Sequence, residues 1–133
     1  MSRKYKFHNE SGAYFISFAT VYWLDVFTRQ VYFNVLEESI DYCRAEKGME
    51  VFAYCFMPSH VHLIFRSSNV KQRPFWQQHN KPIELWSEKV IQQKKDYIHN
   101  NPVESGFVTD PVDWKYSSAR NYQQDQTILE IDI

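Results

Sequence analysis

The sequence predicts an α+β fold, a ferredoxin-like or RRM-like α/β sandwich with an antiparallel sheet. This prediction depends on the order strand, helix, strand, strand, which is the first half of that fold. Aromatic and β-branched residues at 14–23 predict the first strand. Apolar residues at helical spacing predict a helix over 28–48. Residues 49–57 and 60–67 predict two further strands, close enough in sequence to form a hairpin.

The first helix has recognisable ends. Thr28 is a suitable N-cap, and Lys47 followed by Gly48 is a usual stop. One stripe of apolar side chains is expected to face the core: Val31, Val35, Leu36, Ile40 and Cys43.

The second half of the chain is less regular. An extended segment is expected within residues 74–85, where Pro82 limits it to an edge or an end of a sheet. Ser87 is predicted to cap a helix from residue 88 to about residue 100. Asn101-Pro102 is predicted to end that helix, because the residue before a proline avoids the helical conformation. The last residues, "TILEIDI", are compatible with a short strand.

Composition limits the class of protein. A chain of 133 residues predicts one domain, 1–133. Its net charge of −1 means that a nucleic-acid role would need a local basic patch. Two cysteines without C-x-x-C spacing exclude a disulfide scaffold and a zinc knuckle, and predict thiols in a reducing cytoplasm. The sequence shows neither a secretory signal nor a membrane span, so no membrane partner is expected.

The stretch "MPSHVHLIF" contains two histidines in a predicted strand. Side chains alternate across a strand, so His60 and His62 share one face, whereas Val61, Leu63 and Phe65 share the other. The apolar face is expected to lie under a helix, and the histidine face to be open. With Cα atoms about 7 Å apart at ~3.3 Å rise per residue, the two imidazoles can converge on one cation. Ordinary polar residues on a solvated face remain the alternative, because a metal site needs a third ligand.

A second informative stretch is "KKDYIHNNPVESGFV". Tyr97 and Asn101 are four residues apart, and Lys94 precedes Tyr97 by three, so all three share one helix face. This arrangement can place a nucleophile beside a metal ligand. The alternative is a core aromatic at Tyr97 and a helix stop at Asn101.

Together, "MPSHVHLIF", "DYIHNNPVESGFV" and "DWKYSSARNY" resemble the single-tyrosine HUH transposases, and among them the REP-associated tyrosine transposases. The HUH pattern, histidine-hydrophobic-histidine, is matched by His60, Val61 and His62. The resemblance covers nearly the whole chain and implies cleavage and transfer of single-stranded DNA, often beside a hairpin. It implies that His60 and His62 hold a divalent metal, Mg²⁺ or Mn²⁺, and that Tyr97 is the nucleophile. Asn101 would replace the glutamine that is the third ligand in many relatives.

DNA contacts are predicted from basic and aromatic residues. The N-terminal arm and the segment after the third strand are basic, and three further residues could stack on unpaired bases. The alternatives are core packing for the aromatic residues and a solvated surface for the basic ones. The candidates are Arg3, Lys4, Lys6, Arg66, Lys71, Arg73, Trp76, Lys94, Trp114 and Arg120.

The chain departs from the family pattern between the third and fourth strands. Only "RSSNVKQRPF" lies between Phe65 and Trp76, whereas a parallel crossover takes a dozen or more residues, usually with a helix. The fourth strand could then lie elsewhere in the sheet or cross to a second chain in a homodimer. The chain could also be a shortened remnant that binds nucleic-acid hairpins without catalysis. The near-neutral charge leaves a third class open, a metal-binding or structural domain without nucleic acid.

Overall fold

The computed structural model describes residues 12–19, 29–67, 83–123 and 129–132. Within them the chain forms four strands, three α-helices and one short 3₁₀ helix. In chain order these are β1 (Ala13–Ala19), α1 (Gln30–Lys47), β2 (Met49–Phe56), β3 (His60–Ser67), β4 (Ile83–Leu85), α2 (Glu88–Glu104), the 3₁₀ helix (Pro111–Asp113) and α3 (Ala119–Tyr122).

The strands form one antiparallel sheet in the order β2-β3-β1-β4. This order confirms the predicted ferredoxin-like α/β arrangement. The fourth strand pairs with β1 of the same chain, so a strand exchanged with a second chain is not needed to complete the sheet. The argument from a short crossover was wrong because β4 begins at Ile83, well after Trp76, which leaves residues 68–82 for the connection. A homodimer stays a prediction.

The sheet lies between two apolar layers. On one face, Val61, Leu63 and Phe65 pack in a core with Phe33 and Ile40 of α1, as the alternation predicted. On the other face, Ile64 of β3 and Phe15 of β1 pack in a core with Ile98 of α2. The prediction that the histidine face is open was therefore wrong, because α2 covers it.

Helix α1 is rotated relative to the predicted stripe. Val31 and Val35 are each 57% exposed, whereas Phe33, which the stripe left out, is buried beside Ile40. The predicted stripe had combined residues from two neighbouring faces of the helix. Leu36 and Cys43 do pack against the core as expected.

The ends of α1 agree with the prediction at one end only. The N-cap is Arg29, and its side chain makes no capping hydrogen bond; Thr28 lies outside the described residues. At the other end Gly48 has φ 69° and donates its N–H to the carbonyl of Cys43, which confirms the predicted stop.

Helix α2 begins as predicted but continues further. The Ser87 hydroxyl accepts from the Val90 N–H at 3.3 Å, which confirms the N-cap. The predicted end at Asn101-Pro102 was wrong, because Pro102 lies inside the helix, buried in its last turn. The residue before a proline avoids the helical conformation only as a preference. Here the turn after the helix supplies hydrogen bonds to its last carbonyls: Ser105 N–H donates to the Asn101 carbonyl and Phe107 N–H to the Pro102 carbonyl, each at 2.9 Å.

The free edge of β2 is covered by later segments. Phe56 N–H donates to the Tyr116 carbonyl at 2.8 Å, and Ser118 N–H donates to the Tyr54 carbonyl at 2.9 Å. Further along, Asp132 N–H donates to the Val51 carbonyl at 2.6 Å. Residues 129–132, the described part of the predicted last strand, are not a strand, but they do protect this edge.

Two further expectations concern the environment of the chain. Among the described residues, no helix combines the length and the apolar character that crossing a bilayer requires. Cys43 and Cys55 are both free thiols, and Cys55 is buried.

The orientation of α1 gives a prediction for stability. We expect Ile40→Ala to lower the free energy of unfolding by about 2–5 kcal/mol, because it removes buried methyl groups and leaves a cavity. Val35→Ala on the same helix should change it by less than about 0.5 kcal/mol, since Val35 faces solvent. Urea unfolding followed by circular dichroism measures both values. Equal losses in the two variants would show that α1 is rotated differently.

Candidate functional site

The two histidines lie at the start of β3, after a tight turn. Met57 N–H donates to the His60 carbonyl at 2.8 Å, which closes the turn through Pro58 and Ser59. The rings of His60 and His62 are edge to face, with centroids 4.8 Å apart and planes at 76°. The pair is thus held in the middle of the sheet, since β3 lies between β2 and β1.

The side-chain amide of Asn101 connects the two imidazoles. Its Oδ1 lies 3.2 Å from His60 Nε2, and its Nδ2 lies 3.4 Å from His62 Nε2. Because an amide nitrogen only donates, His62 Nε2 accepts and its proton is on Nδ1. His60 Nε2 donates to the amide oxygen, and its Nδ1 accepts from the Ser59 hydroxyl at 3.1 Å. The structure therefore brings together three residues that the sequence analysis had assigned to one site.

Burial keeps both imidazoles neutral. The pKa of His62 is lowered to about 4, mainly by desolvation and in smaller part by the charges of His60 and Lys94. Desolvation also lowers the pKa of His60, against a hydrogen bond to Asn101 that raises it. Metal ligation requires neutral imidazole, so both rings have the charge state that a metal ion needs at neutral pH. His60 would bind a metal ion through Nε2 in the tautomer whose proton is on Nδ1, where it would donate to Ser59 instead.

With the amide oriented so that Nδ2 faces His62, the proton of that ring is on Nδ1, the nitrogen that points away from Asn101. Its Nδ1 is buried and has no hydrogen-bond partner among the described residues. Its ring stacks on Phe15 instead, with centroids 5.8 Å apart and planes at 18°. In this tautomer the lone pair of Nε2 faces the centre of the site.

Tyr97 lies one helical turn before Asn101. Its side chain is 53% exposed, which rules out the alternative of a core aromatic. The ring meets His62 edge to face at 5.7 Å and Phe15 at 6.3 Å, measured between centroids. The candidate nucleophile is therefore fixed by ring contacts beside the histidines while the side chain stays accessible to a ligand.

Lys94 adds positive charge to this cluster. Its Nζ lies 4.9 Å from the Phe15 ring centroid and 5.7 Å from that of Tyr97. Cations bind favourably over aromatic faces at such distances. Within the described part of the chain its ammonium makes no salt bridge.

The donor atoms fit a divalent metal ion. Ions such as Mg²⁺ hold six ligands at about 2.0–2.1 Å, so neighbouring ligands lie about 3 Å apart. Asn101 Oδ1 and His60 Nε2, 3.2 Å apart, are close to this spacing. The amide atom next to His62 is Nδ2, so the amide would have to turn for its oxygen to share a metal ion with both rings. Two imidazoles suit a transition-metal ion such as Mn²⁺ better than Mg²⁺. No cluster of three or more His, Cys, Asp or Glu side chains occurs among the described residues, so a metal here would depend on Asn101.

Three of the predicted DNA-binding residues make contacts within the protein. Arg66 pairs with Glu50, with Nε 2.7 Å from the carboxylate oxygen. The Trp114 indole N–H donates to the Phe56 carbonyl at 2.9 Å, and Arg120 Nε donates to the Val112 carbonyl at 2.7 Å. Their roles in DNA binding stay predictions, as does that of Lys94.

The remaining predicted contacts lie outside the described residues. These are Arg3, Lys4, Lys6, Lys71, Arg73 and Trp76.

Phe15 belongs to the site but was not predicted from the sequence. It contacts His62, Tyr97 and Lys94, and so joins the strand residues to the helix residues. The available signal was strand pairing, because Ser17 of β1 lies opposite His62 and side chains two residues apart share a face.

His99 is a second residue that the sequence analysis missed. Its Nε2 lies 2.7 Å from the hydroxyl of Ser118, on the covered edge of β2. That hydroxyl also accepts from the Tyr54 N–H at 2.9 Å and lies 3.2 Å from the Tyr54 carbonyl. Because His99 lies between Tyr97 and Asn101 in α2, this contact holds that part of the helix against the covered edge of the sheet.

The antiparallel strand order β2-β3-β1-β4, with α1 between β1 and β2, is that of a ferredoxin-like α/β domain, and α2 adds a helix on the other face. The fold is similar to that of a solved structure of a REP-associated tyrosine transposase bound to a REP hairpin, with a TM-score of 0.73. The match covers 96% of this chain and 90% of that chain, at 18% sequence identity. Such a likeness shows a shared fold. The sequence matches no family model, and a comparison with curated proteins found no relative.

Burial of the histidines predicts how stability depends on pH. The pKa values of His62 and His99 are both lowered to about 4, chiefly by desolvation. For His99 the charge of Lys95 adds to this effect and that of Asp96 opposes it. Between about pH 6.5 and pH 4 the unfolded chain binds protons that the folded chain does not, so stability falls as pH falls. Urea unfolding of metal-free protein between pH 7 and pH 5 measures this slope. His99→Gln should reduce it, and an unchanged slope would contradict the assigned shift of His99.

Proposed function

We propose that this chain cleaves and rejoins single-stranded DNA beside hairpins, with Tyr97 as the nucleophile. The observation that carries the proposal is the Asn101 amide, which contacts both imidazoles one turn from the exposed Tyr97. His60, His62 and Asn101 would hold a divalent metal ion. When bound, such an ion neutralises phosphate oxygens and favours in-line attack on phosphorus.

The reaction uses a covalent intermediate on the protein. The Tyr97 hydroxyl loses its proton and its oxygen forms a bond to phosphorus, while the bond from phosphorus to the 3′ oxygen breaks. The products are a 5′-phosphotyrosine and a free 3′-hydroxyl. Attack by the 3′-hydroxyl of another DNA end releases the tyrosine and joins the two strands, so no nucleotide cofactor is required.

The other side chains of the site prepare the phosphate and the tyrosine. The Lys94 ammonium beside the Tyr97 ring attracts an anionic phosphodiester to the hydroxyl. Phe15 holds the rings of Tyr97 and His62, which limits their rotation. Preorganised geometry of this kind contributes to catalysis because the reacting atoms need not be ordered at the moment of attack.

The similar solved structure supports the choice of DNA partner. That protein is a tyrosine transposase bound to a REP hairpin. A hairpin with a single-stranded flank is therefore the substrate that we propose for this chain.

A hairpin-binding protein without catalysis is the second candidate. The Asn101 amide favours it, because its contacts with both imidazoles stabilise the packing of α2 on the sheet without a metal ion. It predicts hairpin affinity that survives both Tyr97→Phe and His60→Ala, with no covalent product. The experiment below separates the two candidates.

Tyr97→Phe is expected to abolish a covalent protein–DNA adduct. Wild-type protein, Mn²⁺ and a panel of labelled hairpins with single-stranded flanks should give an adduct that survives denaturing electrophoresis. The variant keeps the ring contacts with His62 and Phe15 and lacks only the hydroxyl, so its unfolding should be unchanged. An adduct in Tyr97→Phe, or none with any hairpin in the panel, would overturn the catalytic proposal.

Asn101→Ala is expected to weaken Mn²⁺ binding by about tenfold or more, because it removes one of three ligands. Asn100→Ala is the matched control, since the neighbouring amide is exposed and contacts Glu104, outside the site. Electron paramagnetic resonance of free Mn²⁺ measures binding without DNA or activity. Equal affinities of the two variants would exclude Asn101 as a ligand.

A further inference from the structure

Three hydrogen bonds connect four side chains of the candidate site, which we call the histidine network: Ser59, His60, Asn101 and His62. His60 Nε2 donates to Asn101 Oδ1 at 3.2 Å, because an amide oxygen only accepts. A neutral imidazole has one donor and one acceptor nitrogen, so His60 Nδ1 accepts from the Ser59 hydroxyl at 3.1 Å. Asn101 Nδ2 donates to His62 Nε2 at 3.4 Å. All three donors therefore point in one direction, from Ser59 to His62.

This direction occupies the nitrogens through which the two rings would bind a metal ion. An imidazole ligates a metal ion through an unprotonated nitrogen. His60 Nε2 carries a proton, and the lone pair of His62 Nε2 accepts the amide N–H of Asn101. The hydrogen bonds of the metal-free site therefore compete with an ion for the same two atoms.

The two rings differ in what they must change before an ion can bind. His62 has its proton on Nδ1 already, so this ring needs only to lose the contact with the amide N–H. His60 must give up the proton on Nε2 and take one on Nδ1, next to Ser59. A hydroxyl both donates and accepts, so Ser59 can bond to this ring before and after the change.

The turn before β3 keeps the Ser59 hydroxyl beside the ring. Met57 N–H donates to the His60 carbonyl at 2.8 Å across this turn, and Ser59 and His60 are both half-buried. Hydrogen-bond partners of this kind fix the tautomer and the orientation of a ligating histidine. His62 lacks such a partner among the described residues, since its Nδ1 is buried without a hydrogen bond. Ser59 is therefore the side chain through which the turn acts on the metal ligands.

We propose that Ser59 is a positioning residue for the divalent ion, and that its hydroxyl changes from donor to acceptor towards His60 when the ion binds. The Asn101 amide turns in the same step, which frees the lone pair of His62 Nε2. His60 loses one proton from Nε2 to water and gains one on Nδ1 from water, so the ring stays neutral. Ion binding thus reverses the direction of the histidine network. This inference rests on the proposed function, since it takes the same three residues as ligands.

Nuclear magnetic resonance of the ¹⁵N-labelled full chain measures the direction of the histidine network. The shifts of the ring nitrogens show which nitrogen of each histidine carries the proton. In metal-free protein we expect the proton of His60 on Nε2 and that of His62 on Nδ1. When Zn²⁺ is added, a diamagnetic ion that imidazole binds well, the proton of His60 should move to Nδ1 while that of His62 stays. His99, whose Nε2 contacts Ser118 outside the network, is the internal control and should not change.

Ser59→Ala measures what the hydroxyl contributes to ion binding. We expect Mn²⁺ affinity to fall by about tenfold to a hundredfold, the range for loss of a partner behind a ligating histidine. A ring bound to a cation is the stronger N–H donor, so the missing acceptor costs more with the ion than without it. Ser59→Thr keeps the hydroxyl and should restore the affinity. Ser39→Ala, which removes an exposed hydroxyl bonded to the Val35 carbonyl on α1, is the matched control and should bind like wild type. Electron paramagnetic resonance of free Mn²⁺ measures all four proteins without DNA.

Several outcomes would overturn the inference. These are a His60 proton on Nδ1 in metal-free protein, a His60 proton that stays on Nε2 with Zn²⁺ bound, or equal Mn²⁺ affinities of wild type and Ser59→Ala. A loss in Ser59→Ala that Ser59→Thr does not restore would assign the effect to the turn and would overturn it too.

The same measurements separate this inference from the proposed function. If the tyrosine adduct forms and Ser59→Ala binds Mn²⁺ normally, only this inference fails. If the His60 proton moves and Ser59→Ala binds Mn²⁺ weakly but no adduct forms with any hairpin, only the catalytic proposal fails. Absence of ion binding to the wild type would overturn this inference together with the metal ligands of the proposed function.

Discussion

The contact of the Asn101 amide with the buried imidazole of His62 and the half-buried imidazole of His60 is the constraint on which the site depends. Packing α2 on the sheet removes His62 and part of His60 from water, and buried polar groups are costly unless they are hydrogen-bonded. Asn101 supplies one contact to each ring, and Ser59 supplies a second contact to His60. The same helix residue therefore compensates for the burial and gathers the three donor atoms. The position of α2 consequently serves the fold and the site together.

The sheet makes that packing possible because both of its faces are apolar. On β2 the register shifts between Val51 and Ala53, so Phe52 is an extra residue in the ladder. This bulge returns Tyr54 to the α1 face after Val51 and leaves Ala53 and Cys55 on the α2 face. Small side chains there allow α2 to approach the sheet closely.

The sequence predicted the strands and the composition of the site better than it predicted contacts between distant segments. Period-two alternation on β3 assigned Val61, Leu63 and Phe65 to a core correctly, because side-chain direction in a strand is a local property. Alternation along one strand could not predict that α2 covers the histidine face. That packing depends on contacts between residues about forty positions apart in the sequence. The wrong phase of α1 has a similar cause: Val35 and Phe33 are both apolar, and the packing against the sheet decides which is buried. At Pro102, hydrogen bonds from the turn after α2 outweigh the preference of the preceding residue for a non-helical conformation.

Local charge at the site differs from the charge of the whole chain. The net charge of −1 argues against a binder of polyanions by bulk attraction. Around Tyr97, however, the described ionisable groups are two imidazoles held neutral by burial and the ammonium of Lys94. The carboxylate of Asp96 points elsewhere, since Gln92 donates to it one turn back on α2. Neutral histidines and a lysine that makes no salt bridge with the described residues together leave a positive local field. A bound divalent cation would strengthen that field, because none of the three proposed ligands carries a negative charge. Under the proposed function, this local charge would let a chain of near-zero net charge bind a phosphodiester at one place without binding nucleic acid over its whole surface.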